Sequence, residues 1–291
     1  LPMSPIFPTI PPLDPQRFAP RAHWPVRAKL RPLRASSRVE PHRHGWAQMS
    51  FSLTGVSRIL TSQMTCIVPP TRAVWIPPQV EHAVAVLRDA DMLTLYLHHP
   101  PDAAPHWQRC RVVEVSPLLA ELVRQLARDD PAQAGPATLP AAMPARARAM
   151  AELIGDELLR ARSLPLGIAL PQDKRLRTLC EALIEEPTRH ARLADWAAGS
   201  GASARTVARL FRDELGTSFQ QWRQQVLLAR ALVLATEGRP MGVIAAELGY
   251  ASPSAFSAMV TRTVGMAPGR FFAPGGAIAE AALSAAASPL R

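Results

Sequence analysis

Two periodicities divide the chain. Between Pro41 and about Leu97 apolar and polar residues alternate in short runs broken by turn residues; from Pro117 onward apolar residues recur every three or four positions. Met49-Ser-Phe-Ser-Leu53 alternates as a strand with one buried face should, and Thr54-Gly55 supplies a turn before the next run at 56–61. Runs at 66–68, 73–76, 83–87 and 92–97 follow at short spacing, with 111–115 as a closing strand. Such a series predicts a small sandwich or barrel. Residues 1–40 carry Pro at short intervals and read as an extended arm, with strand expected around 26–33.

Past Ser116-Pro117, Leu118, Leu119, Leu122, Val123 and Leu126 form one helical stripe. Beyond the Pro- and Ala-rich stretch 131–144, Ala147, Met150, Leu153, Ile154 and Leu158 form a second. Two such helices beside a barrel either cover its open sheet or pair with another subunit. Residues 163–171 hold two prolines and a glycine without any period, which predicts a linker. Asp173 then caps a helix that stops before Pro187.

The remaining helical region carries the helix-turn-helix pattern twice, each copy an Ala-rich helix, a Gly-containing turn and a capping Ser. In the first copy Ser203 caps a helix reaching Leu215, with Gly216 as its stop. Val207, Leu210 and Phe211 form its inner face; Arg205, Ala208, Arg209 and Arg212 lie opposite, where a recognition helix meets the major groove. Arg is the side chain best shaped for forked contact to guanine. A solvated basic face is the plainer alternative, but these residues fall on the helix that the motif independently nominates. A connecting helix follows, with Phe219, Trp222, Val226, Ala229 and Val233 at three- and four-residue steps, ending at Gly238. About 18 residues span roughly 27 Å, which suits two recognition helices set about one DNA turn apart. In the second copy Ser252-Pro253 opens the recognition helix, with Phe256 and Met259 inward. Ser254, Ser257, Ala258 and Thr261 face outward, and Arg262 comes late. None of the first four makes a forked base contact, so the first motif is expected to discriminate bases and the second to position the protein.

Charge fits a polyanionic partner: 33 Lys and Arg stand against 23 Asp and Glu, for a net +10. Lys29 and Lys174 are the only lysines, so Arg dominates. No apolar run approaches a membrane span and no signal-peptide pattern opens the sequence, so a cytoplasmic protein without a membrane partner is expected. Cys66, Cys110 and Cys180 lack metal-type spacing and read as reduced core thiols.

Within the β-patterned region His42-Arg-His44 places two imidazoles on one face of a strand, Gln48 keeps their parity, and Gly55 completes a His-x-His-x3-Gln-x6-Gly spacing. His82 follows a turn at Pro77-Pro-Gln79. These two segments resemble the paired motifs of the cupin superfamily, whose double-stranded β-helix points such residues inward. In metal-binding cupins the matching positions hold three His and a Glu. Here they are His42, His44, His82 and Gln48, with Gln79 in place of Gly and Val86 in place of Asn. Three imidazoles on one concavity could ligate a divalent transition metal. The other readings are hydrogen bonding inside the barrel, or an effector held with no cofactor required. Trp46 and Trp75 are candidates to line the same pocket.

Residues 172–272 closely resemble the C-terminal domain of AraC/XylS-type transcriptional regulators. The matching residues are Ala197, Ser203, Arg209, Phe211 and Gly216, then Ala245, Gly249-Tyr250, Ser252-Pro253, Phe256, Gly265 and Pro268. Leu227 stands where Arg is usual and Val260 where Phe is usual, departures expected to weaken phosphate contact or packing. The implied fold is multidomain β + α: a cupin-like barrel with two following helices, then an all-α domain of two helix-turn-helix motifs joined by a long helix. The expected division is an arm at 1–40, a cupin-like effector domain at 41–115, a helical dimerisation or packing region at 116–162, a linker at 163–172, the DNA-binding domain at 173–273 and a disordered tail at 274–291. The resemblance implies a sequence-specific regulator, not an enzyme, that binds double-stranded promoter DNA under control of a small-molecule effector. A homodimer is expected, and RNA polymerase is a further candidate partner. The alternatives are a dioxygenase-like cupin metalloenzyme and a metal-sensing regulator; both lean on His42, His44 and His82.

Overall fold

The computed structural model describes residues 8–12, 14–70, 72–99, 104–135, 138–188, 193–200 and 203–273, so the tail expected at 274–291 lies outside the described residues. The strands in chain order are β1 (Thr9–Ile10), β2 (Val26–Leu33), β3 (Arg38–His42), β4 (Ala47–Ser52), β5 (Val56–Thr61), β6 (Met64–Val68), β7 (Arg72–Ile76), β8 (His82–Arg88), β9 (Ala90–Leu97), β10 (Arg111–Glu114), β11 (Ser163–Leu164) and β12 (Ile168–Ala169). The helices are α1 (Pro117–Asp129), α2 (Ala145–Arg160), α3 (Lys174–Glu185), α4 (Leu193–Ser200), α5 (Ala204–Leu215), α6 (Phe219–Thr236), α7 (Met241–Glu247), α8 (Pro253–Val264) and α9 (Pro268–Phe272). They fall into two compact units, one built on residues 1–60 and 68–164, the other on 61–67 and 165–272.

In the first unit one sheet runs β11-β10-β7-β4-β9-β2, and the other contains β1-β3-β8-β5. β2 is the strand expected around 26–33 within the arm, and it belongs to the barrel: it pairs antiparallel with β9 along its whole length, from Val26↔Leu97 to Leu33↔Ala90. Its Pro32 is tolerated because β2 is an edge strand, where one missing N–H breaks no ladder. Partners in register share a face. Arg27, Lys29 and Arg31 therefore lie on the same face as Tyr96, Thr94 and Met92 of β9, and these as Gln48, Ser50 and Ser52 of β4. That face lines the barrel's interior, whereas Met49, Phe51, Leu93 and Leu95 bury the other face.

Ser116 caps α1 by accepting from Leu119 N at 3.0 Å, with Pro117 in the first turn. α1 packs on both α2 and β2. Its C-terminal neighbour Asp130 accepts two hydrogen bonds from Arg27, at 2.7 and 2.6 Å, in a pair only 2% exposed on either side. The apolar stripes are narrower than the spacing suggested. Leu119, Val123 and Leu126 are buried on α1, and Ala147, Met150, Ile154 and Leu158 on α2, but Leu118 and Leu153 are 51% and 48% exposed. Each sits one position off the line that meets the core.

In the second unit Asp173 caps α3 through Leu176 N, at 2.8 Å. The stretch 163–172 is not a bare connection: β11 pairs with β10, β12 pairs antiparallel with β6, and the Trp222 indole donates to Ala169 O at 2.7 Å. α6 opens with a capping box between Ser218 and Gln221 and buries Trp222, Val226, Leu228 and Leu232. Among the described residues no helix is long and apolar enough to cross a membrane.

Candidate nucleic-acid interface and effector site

α4 and α5 form the first helix-turn-helix. Ser203 caps α5 by accepting from Thr206 N at 3.2 Å, and Gly216 ends it in the left-handed conformation. Val207 and Phe211 are buried, Phe211 against the rings of Phe219 and Trp222, which fixes the opposite face. On that face Arg205, Arg209 and Arg212 are exposed and Ala208 is half-buried. Arg209 is paired with Asp213 one turn on, at 3.1 Å.

α7 and α8 form the second. Gly249 takes φ 77° at the turn, a conformation that a side chain disfavours. Ser252 caps α8 through Ala255 N at 3.2 Å, with Pro253 in the first turn. Phe256, Met259 and Val260 are buried, so Val260 fills a core position. Ser254, Ala258, Thr261 and Arg262 are exposed, and Ser257 is half-buried. Leu227 is also buried, only 1% exposed, and so has no reach toward phosphate.

The barrel brings the three imidazoles together. Pro41 has no N–H to give, and the β3–β8 register shifts between Val39 and His42, which sets His42 opposite His82. Ring centroids are 4.4 Å apart for His42 and His82, 5.3 Å for His44 and His82, and 6.2 Å for His42 and His44. Each Nδ1 donates to a backbone carbonyl at 2.9 Å: His42 to Glu40, His44 to Trp46, His82 to Val80. The Nε2 atoms therefore carry the lone pairs. His44 Nε2 sits 2.8 Å from the Gln48 side-chain amide, which also meets Ser50 Oγ at 2.8 Å. As placed, the Gln48 amide turns its Oε1 to His44 Nε2 and donates from its NH2 to Ser50 Oγ; a neutral His44 that donates from Nδ1 to Trp46 O requires the reverse setting of that amide. His82 Nε2 is buried without a partner.

Burial lowers the basicity of all three rings; His82 falls furthest, to about 3, despite its backbone hydrogen bond to Val80. With His44 Nε2 occupied by Gln48, these residues do not fit a metal shell as arranged. Among the described residues no group of three or more His, Cys, Asp or Glu is placed to hold a metal ion.

Trp46 stacks on His44, with centroids 4.9 Å apart and planes 5° from parallel, and meets Tyr96 edge-on. Trp75 is elsewhere. It pairs in register with Met49, hence on the face away from Gln48, and its indole donates to Trp107 O at 2.8 Å. The pocket beside His42 and Gln48 is instead completed by Lys29, Arg31, Thr94 and Tyr96, against apolar residues such as Val84 and Met92. The Lys29 ammonium lies 5.0 Å from the Tyr96 ring centre, and burial, then Arg31 and Arg17, pull its pKa down to about 7. The sequence points to a strand around 26–33 but not to its partner, so this basic ladder escapes it; the i, i+2, i+4 spacing of Arg27, Lys29 and Arg31 was the available signal.

Residues 32–150 match the AraC-like ligand binding domain family, and residues 196–273 match a helix-turn-helix domain family. The HTH-type transcriptional regulator NimR of Escherichia coli K12 is 33% identical over 233 residues, covering 80% of this chain and 81% of that protein. The HTH-type transcriptional regulator RipA of Corynebacterium glutamicum is 29% identical over 102 residues, 35% of this chain and 31% of that one. Among solved structures, ToxT from Vibrio cholerae O395 aligns over 87% of this chain and 99% of its own, at 10% identity and a TM-score of 0.36. The chain belongs to the AraC/XylS-type transcriptional regulators, DNA-binding proteins that here join an N-terminal ligand-binding domain to a helical domain with two helix-turn-helix motifs.

Proposed function

We propose that this regulator reads its operator chiefly through α5, with Arg205, Arg209 and Arg212 contacting base edges beside Ala208. α8 then positions the domain through Ser254, Ser257, Ala258, Thr261 and Arg262. The observation that carries this reading is the exposed arginine face of α5, held outward by the burial of Val207 and Phe211. On this reading the chain divides into an arm, a cupin-like effector domain at 41–115 to which 26–40 add an edge strand, a helical region at 116–162, a connection at 163–172, a DNA-binding domain at 173–273 and a tail at 274–291. The effector is placed in the barrel beside His42 and Gln48, where Lys29, Arg31, Thr94 and Tyr96 complete the lining and His44, His82 and Trp46 pack next to it, and Lys29 and Arg31 favour a ligand that presents an electron-rich oxygen. The hydrogen-bonded state of His44 supports an effector held without a metal cofactor. Exposed Leu118, Leu153 and Leu159 on α1 and α2 support a homodimer joined through these helices. Membership of a DNA-binding regulator family favours action in the cytoplasm, with RNA polymerase as a further partner at the promoter.

The test is a fluorescence-anisotropy titration of the full chain with duplexes covering the DNA upstream of its own gene. Saturable binding to one segment over scrambled duplexes is expected, and its loss in an Arg205, Arg209 and Arg212 triple Ala variant. Equal affinity for all duplexes would overturn the reading.

A further inference from the structure

Of the 33 Lys and Arg in the chain only Lys29 and Lys174 are lysines, and Lys29 is the one that lines the barrel pocket. Arg27 and Arg31 flank it on the same face of β2, so this wall sets one primary amine between two guanidiniums. A third guanidinium would hold an anion better, since it keeps its charge and offers a fork of donors. What a lysine offers instead is an amine that gives up its proton and then acts as a nucleophile.

The surroundings of Lys29 favour that state. Its Nζ lies 5.0 Å from the Tyr96 ring centre and 5.9 Å from that of Phe18. Among the described residues no carboxylate pairs with it, and none lines the pocket. With its pKa near 7, about half of the Lys29 amines carry a free lone pair at neutral pH. The neighbouring Tyr96 is no rival, because burial raises its pKa and keeps it a phenol. The space beside these groups is about 30 Å³, room for a group of about two or three heavy atoms. Leu33, Val39, Val84 and Met92 give it apolar walls.

We propose that Lys29 captures a short aliphatic aldehyde in the barrel as a Schiff base. The proposal rests on the reading of this pocket as the effector site and names the class of effector it takes. The Nζ lone pair forms a bond to the carbonyl carbon, and the carbonyl oxygen takes one amine proton to give a carbinolamine. That hydroxyl then leaves with the second amine proton, so a C=N bond replaces C=O, one water is released, and nothing is oxidised or reduced. Arg31 meets Pro11 O at 3.4 and 3.5 Å and keeps further N–H donors for the carbonyl oxygen. An aldehyde fits better than a ketone, whose second carbon substituent has no room in so small a space. Hydrolysis of the imine reverses the capture, as a signal that must fade requires.

Reductive trapping reads the imine directly. The full chain would be incubated at neutral pH with propanal and sodium cyanoborohydride, digested and mapped by mass spectrometry. Lys29 is expected to acquire a propyl group about tenfold or more faster than Lys174, which is exposed on α3. Lys29→Arg keeps the charge and should leave only the slow labelling of Lys174 and the amino terminus. Wild type carries its own reference amine, so the ratio decides the matter even if that variant fails to fold. A Lys29 labelled no faster than Lys174 would overturn the proposal. Thermal melting with propionate separates this failure from that of the effector reading: stabilisation by propionate, with Lys29 unlabelled by propanal, would keep the effector site and overturn the Schiff base. Preferential labelling of Lys29 that leaves affinity for every duplex unmoved would uphold the capture and overturn the pocket as the effector site.

Discussion

Arg209 Nη1 donates to Asp213 Oδ2 at 3.1 Å, one turn further along the helix proposed to read bases. Both side chains are more than half exposed, so the pair adds little to stability. Its consequence is for binding: an acid on the recognition face repels phosphate and occupies the guanidinium until a base edge replaces it. Asp213→Asn should therefore bind scrambled DNA more tightly and lower the ratio of preferred to scrambled affinity, measured by anisotropy at one salt concentration. A ratio that rises instead would show that Asp213 does not restrain Arg209.

Arg209→Ala should cost about 1–3 kcal/mol on the preferred duplex, the worth of one forked base contact, and relax selectivity at one base pair. Ser254→Ala on α8 should change selectivity far less. Binding to a library of singly substituted duplexes checks both, and a larger loss of selectivity in Ser254→Ala would reverse the proposed division of labour.

Gly55→Ala should destabilise the barrel. Gly55 has φ 72°, and a Cβ there would meet Asp89 O at 2.0 Å. The backbone conformation alone is worth about 1–3 kcal/mol, and the collision adds to it. Gln79 shows the converse: it holds φ 65° where the resembling cupin motif has Gly, with its N–H donating to His44 O at 2.8 Å. Gln79→Gly should be neutral or stabilising, since relief of left-handed strain offsets the entropy of glycine. Thermal melting of the two variants should move in opposite directions or leave the second unmoved.

The buried histidines set a pH dependence. Folding depresses the His82 pKa from 6.5 to about 3, with the same sign for His42 and His44. The unfolded chain therefore binds more protons between those values, and stability rises with pH there. That contribution is complete above about pH 6.5 and is lost progressively as pH falls toward 3. In urea melts from pH 7 to 4, His82→Gln should flatten the decline, and an unchanged slope would contradict the burial of a neutral His82.

Sequence legibility followed the chemistry of each element. α5 and α8 announce their starts through Ser203 and Ser252, and α5 and α6 their ends through Gly216 and Gly238, so their recognition and connecting roles could be proposed from spacing. The barrel was legible as alternation, but alternation cannot say which strands pair. Register moved Trp75 away from the His cluster, and it made β2, expected as a strand of unknown partner, the wall that carries Lys29 and Arg31. Leu118 and Leu153 looked like core because a helical stripe read from sequence has no sharp edge. The contribution of 61–67 to the second unit left no local pattern, since it depends on pairing with the distant β12.

The most direct measurement of the central claim is the ratio of affinities for a preferred and a scrambled duplex, at one fixed near-physiological salt concentration, in wild type and in the Arg205, Arg209 and Arg212 triple Ala variant. Wild type should favour the preferred duplex by about 10³-fold or more, and the triple variant should lose most of that ratio while keeping salt-dependent binding to both. A triple variant that retains the wild-type ratio would show that α5 does not read the bases.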